Sequence, residues 1–123
     1  MATINNFLCL SLFLIIITQG MAAKCYPGRV TIYQKPTGRR IHHKTEWKVS
    51  VANECACMQL NVRLSCAGFH SLRFLSPSVL SKSGNLCIIN NNNPISPFST
   101  FNFTYVWDHQ FVFAPVSSQE ACS

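Results

Sequence analysis

The residues of this chain that could do chemistry are its cysteines, histidines and acidic side chains. The chain has 123 residues, with seven cysteines, four histidines and only four Asp plus Glu. The closely spaced cysteines of Cys55-Ala56-Cys57, followed by Cys66, are of a residue type that can bind a metal or act as a thiolate nucleophile. No second CxxC and no HxxxH at zinc spacing accompanies it, so the sequence predicts no bound metal.

The sequence gives equally little support for other catalytic arrangements. Asp108 is the one aspartate and adjoins His109, but no serine lies in a GxSxG turn. Paired-carboxylate hydrolysis would have to draw on Glu46, Glu54, Asp108 and Glu120, which are scattered along the chain. We therefore predict that the protein is not an enzyme and needs no cofactor.

The amino-terminal end has the pattern of a secretory signal peptide. Residues 8–18 form an apolar run that is too short to span a bilayer comfortably, and small residues follow it up to Ala23. No later segment is long and apolar enough to cross a membrane. We predict a signal peptide at residues 1–23, a single domain at residues 24–123, and secretion to the apoplast.

Cleavage there would change the cysteine count from odd to even. Cys9 leaves with the signal peptide, and six cysteines in a small secreted domain indicate three disulfides. Fifteen pairings are open, and the sequence does not choose among them. The predicted disulfide cysteines are Cys25, Cys55, Cys57, Cys66, Cys87 and Cys122.

The positive charge is confined to one segment. Residues 24–48 hold seven Lys and Arg against one acidic residue, whereas residues 49–123 are balanced. Such asymmetry favours an acidic partner: a receptor groove, an anionic cell-wall polymer or a phospholipid surface. A solvated loop is the plain alternative, and secretion argues against nucleic acid. The candidate partner-binding residues are Lys35, Arg39, Arg40, His42, His43, Lys44 and Lys48.

Apolar and polar residues alternate with period two in the elements that must position these groups. The alternation is strict at residues 58–66, 100–107 and 47–51, which is typical of half-buried strands. Shorter strands are predicted at residues 29–34, 86–89 and 111–114. Turns are predicted at residues 36–38, 83–85 and 90–94, and one helical turn at residues 77–82. The sequence thus predicts an all-β fold, a small antiparallel sandwich or barrel of about five to seven strands.

Two surface features concern carbohydrate. Asn102-Phe103-Thr104 is a glycosylation sequon, and Asn102 lies on the polar face of its predicted strand. Tyr26, Tyr33 and Trp47 could form an aromatic platform for a glycan.

The ordered cysteine motifs resemble the plant tapetum-determinant family of small secreted cysteine-rich proteins. The resemblance spans the whole mature chain, and the motifs at Cys66 and Cys87 are its most specific parts. The matching segments are VTIYQ at 30–34, EWKV at 46–49, NECAC at 53–57, VRLSCAGFHS at 62–71, GNLCIIN at 84–90 and FNFTYVW at 101–107.

This resemblance implies a secreted protein ligand. Founding members of the family bind the ectodomain of a leucine-rich-repeat receptor kinase and specify cell fate in the anther tapetum. The spacing of Cys55 and Cys57 is tighter than in those members, so the class of ligand carries over but not the particular receptor. The alternatives are a cationic apoplastic defence protein and a lectin-like module that binds the cell wall.

Overall fold

A computed structural model describes residues 30–122. Residues 1–23 and Cys25 lie outside the described residues. In the described part there is no α-helix, and hence no helix that could cross a bilayer. The seven strands are β1 (Val30–Ile41), β2 (Lys44–Asn53), β3 (Met58–Ser65), β4 (Leu80–Ser83), β5 (Leu86–Ile89), β6 (Thr100–Trp107) and β7 (Ala114–Ala121).

The strands form two antiparallel sheets that face each other across one core. Sheet A has the order β1-β2-β6, and sheet B has the order β4-β5-β3-β7. The prediction of a small all-β fold is confirmed. Of the sandwich and the barrel that the sequence allowed, the structure is a sandwich. Its end strands leave backbone groups that are not paired within the sheet.

The core lies between the inner faces of the sheets. In β2 and β6 the predicted alternation is confirmed: Val49, Val51 and Tyr105 are fully buried, and Phe103 nearly so. These side chains meet residues of sheet B that are also fully buried, such as Leu64. The period-two pattern succeeds here because both strands pair in uninterrupted register.

The pattern misleads in the first half of β3. The alternation points Met58 inward, but Met58 is exposed and Gln59 is buried instead. Asn61 has a positive φ of 52°, and the register with β7 shifts between Leu60 and Arg63. A bulge of this kind reverses which residues face the core, so the expected phase holds only from Val62 onward.

The turn predicted at residues 36–38 is a bulge inside β1. The register with β2 shifts between Pro36 and Arg40, and Gly38 takes a φ of 92° that favours glycine. The hairpin instead turns at His42 and His43, whose φ values of 49° and 65° are those of a two-residue type I′ turn. The sequence predicts the turn at the wrong place because the usual Asn-Gly signal is absent at His42 and His43.

Two short predictions beside sheet B had different outcomes. The strand expected at residues 111–114 is wrong, because residues 111–113 form a loop and β7 begins only at Ala114. Phe111 and Phe113 are buried from that loop. The single helical turn expected at residues 77–82 is present but shorter: it covers residues 77–79, with Leu80 N donating to Ser76 O at 3.0 Å, and β4 follows at once.

Candidate functional site

All five cysteines in the described part of the chain are disulfide-bonded. Cys57 is joined to Cys122, and Cys66 to Cys87. Because the thiolate is the reactive and metal-binding form of cysteine, bonded sulfurs offer neither a nucleophile nor a zinc ligand. Among residues 30–122 no group of three or more His, Cys, Asp or Glu is placed to hold a metal ion.

Two lysines of the candidate segment lie side by side on the outer face of sheet A. Lys35 of β1 is directly opposite Lys48 of β2. Both point away from the core, because their neighbours Gln34 and Val49 point into it. Like charges in directly opposed positions destabilise a sheet. Neither lysine has an ion-pair partner among residues 30–122, so the pair is free to meet an external anion.

Arg39 adds a third cation to this face. It is exposed in the β1 bulge, where it lies close enough to Glu46 to help lower the pKa of that carboxyl. We call Lys35, Arg39 and Lys48 the cationic face. Arg40 follows directly, but its Nη2 donates to the carbonyl of His43 at 2.7 Å, so its guanidinium turns back toward the hairpin.

The remaining candidates form a separate cluster at the hairpin end of sheet A. Lys44 Nζ lies 3.3 Å from Asp108 Oδ2 and 4.9 Å from the centroid of the Trp107 ring. The hydrogen bond from Lys44, more than the contact with His109, lowers the pKa of Asp108. Lys44 is thus already engaged within the protein, unlike Lys35 and Lys48.

All four histidines gather at this end. His42 and His43 form the hairpin turn, and the His70 ring centre lies 5.6 Å from that of Trp107. His109 Nδ1 lies 2.9 Å from Asp108 Oδ1. The structure therefore divides the predicted basic segment into the cationic face and a histidine-rich hairpin end.

Glu46, which the sequence offered only as one of four scattered carboxylates, is a buried residue of this site. It is 4% exposed although it lies on the outer face of sheet A. Its Oε1 accepts a hydrogen bond from Thr37 Oγ1 at 2.7 Å, while its Oε2 lies 2.5 Å from Arg73 Nη2 without ordinary hydrogen-bond geometry. Arg73 also donates to Thr104 Oγ1 on β6. Together these contacts link β1, β2, β6 and the long connection after β3 through polar side chains.

The Thr37 hydrogen bond holds the pKa of Glu46 below its usual range, helped by Arg73 and Arg39 and opposed by burial. A lowered native pKa stabilises the fold above the unfolded value of about 4.3, and this contribution is lost as the pH falls through the native pKa. Because Arg73 is one-third exposed, water can replace part of what it supplies to Glu46.

Replacing Arg73 with glutamine should lower the free energy of unfolding by about 2 kcal/mol at pH 7. The variant leaves the Glu46 carboxylate buried without its cation, so the pKa of Glu46 should rise. The loss should therefore shrink as the pH falls through the raised pKa of Glu46 in the variant, because the variant then takes up a proton that the wild type does not yet bind. Urea unfolding at pH 7 and pH 3.5 measures this, with Arg63→Gln on sheet B as control. A loss that is equal at both pH values would contradict the role of Glu46.

Asn102 is exposed on the same outer face as Lys48. It pairs with Ser50, two residues along β2 from Lys48, which corresponds to about 7 Å along the strand. A glycan on Asn102 would therefore border the cationic face. Its attachment stays a prediction.

Tyr33 and Trp47, the two residues of the predicted aromatic platform that the structure describes, do not form it. The Trp47 ring faces the core and stacks on Tyr105 with ring centres 6.5 Å apart. Tyr33 points to the opposite side of sheet A and is 54% exposed. Two rings on opposite sides of one sheet cannot bind the same sugar face. Tyr26 lies outside the described residues.

Comparison with known proteins extends over nearly the whole chain. The family "Tapetum determinant 1, C-terminal" matches residues 27–123. An uncharacterized protein of Arabidopsis thaliana is 32% identical over 116 residues, which cover 91% of each chain. No solved structure matches the chain. On the family match and this identity together, the chain belongs to the tapetum determinant 1 family.

Proposed function

We propose that this protein is a secreted ligand for the ectodomain of a leucine-rich-repeat receptor kinase, and that it signals in cell-fate determination of the anther and tapetum type. Family membership indicates a tapetum-determinant-like signalling protein. Secretion is supported by the disulfides, which persist in oxidising compartments.

The observation that carries the proposal is the pair of lysines, Lys35 and Lys48, that lie side by side on the outer face of sheet A without an ion-pair partner among residues 30–122. Lys35 and Lys48 repel each other across β1 and β2, and an acidic partner surface would relieve that repulsion. A disulfide-bonded sandwich loses little conformational entropy when it binds. Repeat receptors present extended concave surfaces to their ligands.

The proposal is tested by measuring binding of the oxidised, purified domain to a panel of leucine-rich-repeat receptor ectodomains at physiological salt. We expect saturable binding to at least one tapetum-type ectodomain, and no binding after reduction and alkylation of the disulfides. Failure to bind any ectodomain would overturn the proposal. Binding to polygalacturonate alone would instead support the role of a cationic protein that acts on the cell wall.

A further inference from the structure

The connection between β3 and β4 runs along the free edge of sheet A. We call residues 71–75 of this connection the edge strap. Leu72 N donates to Val106 O at 2.9 Å, and Val106 N donates to Ser71 Oγ at 3.0 Å. The strap therefore satisfies backbone groups that β6 would otherwise expose as the last strand of the sheet. Val106, beneath it, is fully buried.

Side chains on both flanks of Phe74 are anchored. Arg73 reaches down to Glu46 and Thr104, and Leu75 packs against the core. Between them Phe74 is 83% exposed, and Leu72 on the other side of Arg73 is 47% exposed. Protecting the β6 edge explains the buried contacts of the strap. It does not explain why a phenylalanine and a leucine are held in solvent, where polar residues would serve the edge better.

The strap adjoins the cationic face. Thr104, which accepts a hydrogen bond from Arg73, is directly opposite Lys48, and Lys48 is directly opposite Lys35. One row across sheet A thus runs from the strap to the two unpaired lysines. Protein-binding sites are enriched in aromatic residues and have a polar rim, and a few buried aromatic residues supply most of the affinity.

We propose that Phe74, assisted by Leu72, is the apolar anchor by which this protein inserts into a hydrophobic pocket of its receptor, and that acidic receptor residues beside the pocket meet the cationic face. The inference rests on the proposed function and identifies the part of the molecule that binds. It favours a protein partner over an anionic polymer, because a polymer would engage the lysines but offers no pocket for a phenylalanine. The strap needs little ordering on binding, since its backbone and flanking side chains are already held.

The test compares Phe74→Ala with wild type in equilibrium binding to the receptor ectodomain. We expect Kd to rise at least about 30-fold, the effect of losing a central aromatic anchor, and Leu72→Ala to raise it less. The matched control is Phe98→Ala, because Phe98 is 74% exposed but lies before the start of β6, six residues from Thr104. Its Kd should equal that of wild type.

Unfolding in urea must accompany the binding data. Phe74→Ala should unfold like wild type, because its side chain is exposed. Equal affinity of Phe74→Ala and wild type for the ectodomain would overturn the anchor while leaving the proposed function intact. An equal loss in Phe98→Ala would also overturn it, since the effect would then not belong to the strap. Failure of wild type to bind any ectodomain would overturn the proposed function and the anchor together.

Discussion

Replacement of Tyr105 with alanine should lower the free energy of unfolding by about 3–5 kcal/mol, as expected when a large buried aromatic side chain is removed. Tyr105 is fully buried, and its ring contacts Phe69, Phe111 and Phe113 with centres 5.3–5.9 Å apart. Such pairs add to the free energy gained by burial. The alanine variant would lose these contacts and leave a cavity between the sheets.

The hydroxyl of Tyr105 has its own contribution. It donates to Gln34 Oε1 at 2.7 Å and accepts from Phe111 N at 3.0 Å. Gln34 Nε2 in turn donates to Phe111 O at 2.7 Å. Tyr105→Phe keeps the ring but leaves two of these groups unpaired, so we expect a loss of about 1–3 kcal/mol.

Urea unfolding measures both Tyr105 variants. Tyr33→Ala is the control, because Tyr33 lies on the outer face of the same sheet and is 54% exposed; it should change the free energy by only about 0.5 kcal/mol. A Tyr105→Ala variant whose free energy of unfolding stays within about 1 kcal/mol of wild type would show that the ring cluster is not central to the core.

Removal of the Cys66–Cys87 disulfide in a double alanine variant should lower the free energy of unfolding by about 3–4 kcal/mol. The bond joins two residues with a sequence separation of 21, and restricting that loop in the unfolded chain supplies about 3 kcal/mol. Both cysteines are fully buried, so their removal also costs core packing.

This disulfide also fixes the start of the connection that forms the edge strap. Cys66 N donates to Asn85 O at 2.9 Å, and Phe69, three residues later, contacts Tyr105 in the core. Unfolding in urea under non-reducing conditions gives the change, and addition of a reductant to wild type should destabilise it in the same direction. Unchanged stability of the double variant would contradict a structural role for the bond.

The sequence predicted the parts of the fold that depend on uninterrupted alternation. Val49, Val51 and Tyr105 occupy core positions because β2 and β6 pair without a bulge. The prediction failed at Met58, because the left-handed conformation of Asn61 reverses the phase of β3. Period-two reasoning carries no information about where such a bulge falls.

The sequence predicts which segment carries the positive charge, but it does not predict which of its residues lie together on one surface. The excess of Lys and Arg before residue 49 is visible in the sequence, yet only the register across a bulged hairpin places Lys35 beside Lys48. Glu46 and Arg73 are 27 residues apart, and no local pattern marks them as a pair. The exposure of Phe74 is hidden for the same reason, since an apolar residue in a long connection has no period that tells outside from inside.

The central claim is that the outer face of sheet A meets the receptor. The most direct measurement is the association rate constant of the double variant Lys35→Gln, Lys48→Gln with the receptor ectodomain, at low and at high salt. Its control is Arg63→Gln, Lys82→Gln, which removes the same charge from β3 and β4 of sheet B.

We expect the Lys35 and Lys48 variant to associate about tenfold more slowly than wild type at low salt, because rim charges act mainly on the rate of encounter. The difference should shrink at high salt, where exposed charges are screened, and the sheet B variant should show a smaller effect. Association rates that are the same for both variants at every salt concentration would contradict the claim.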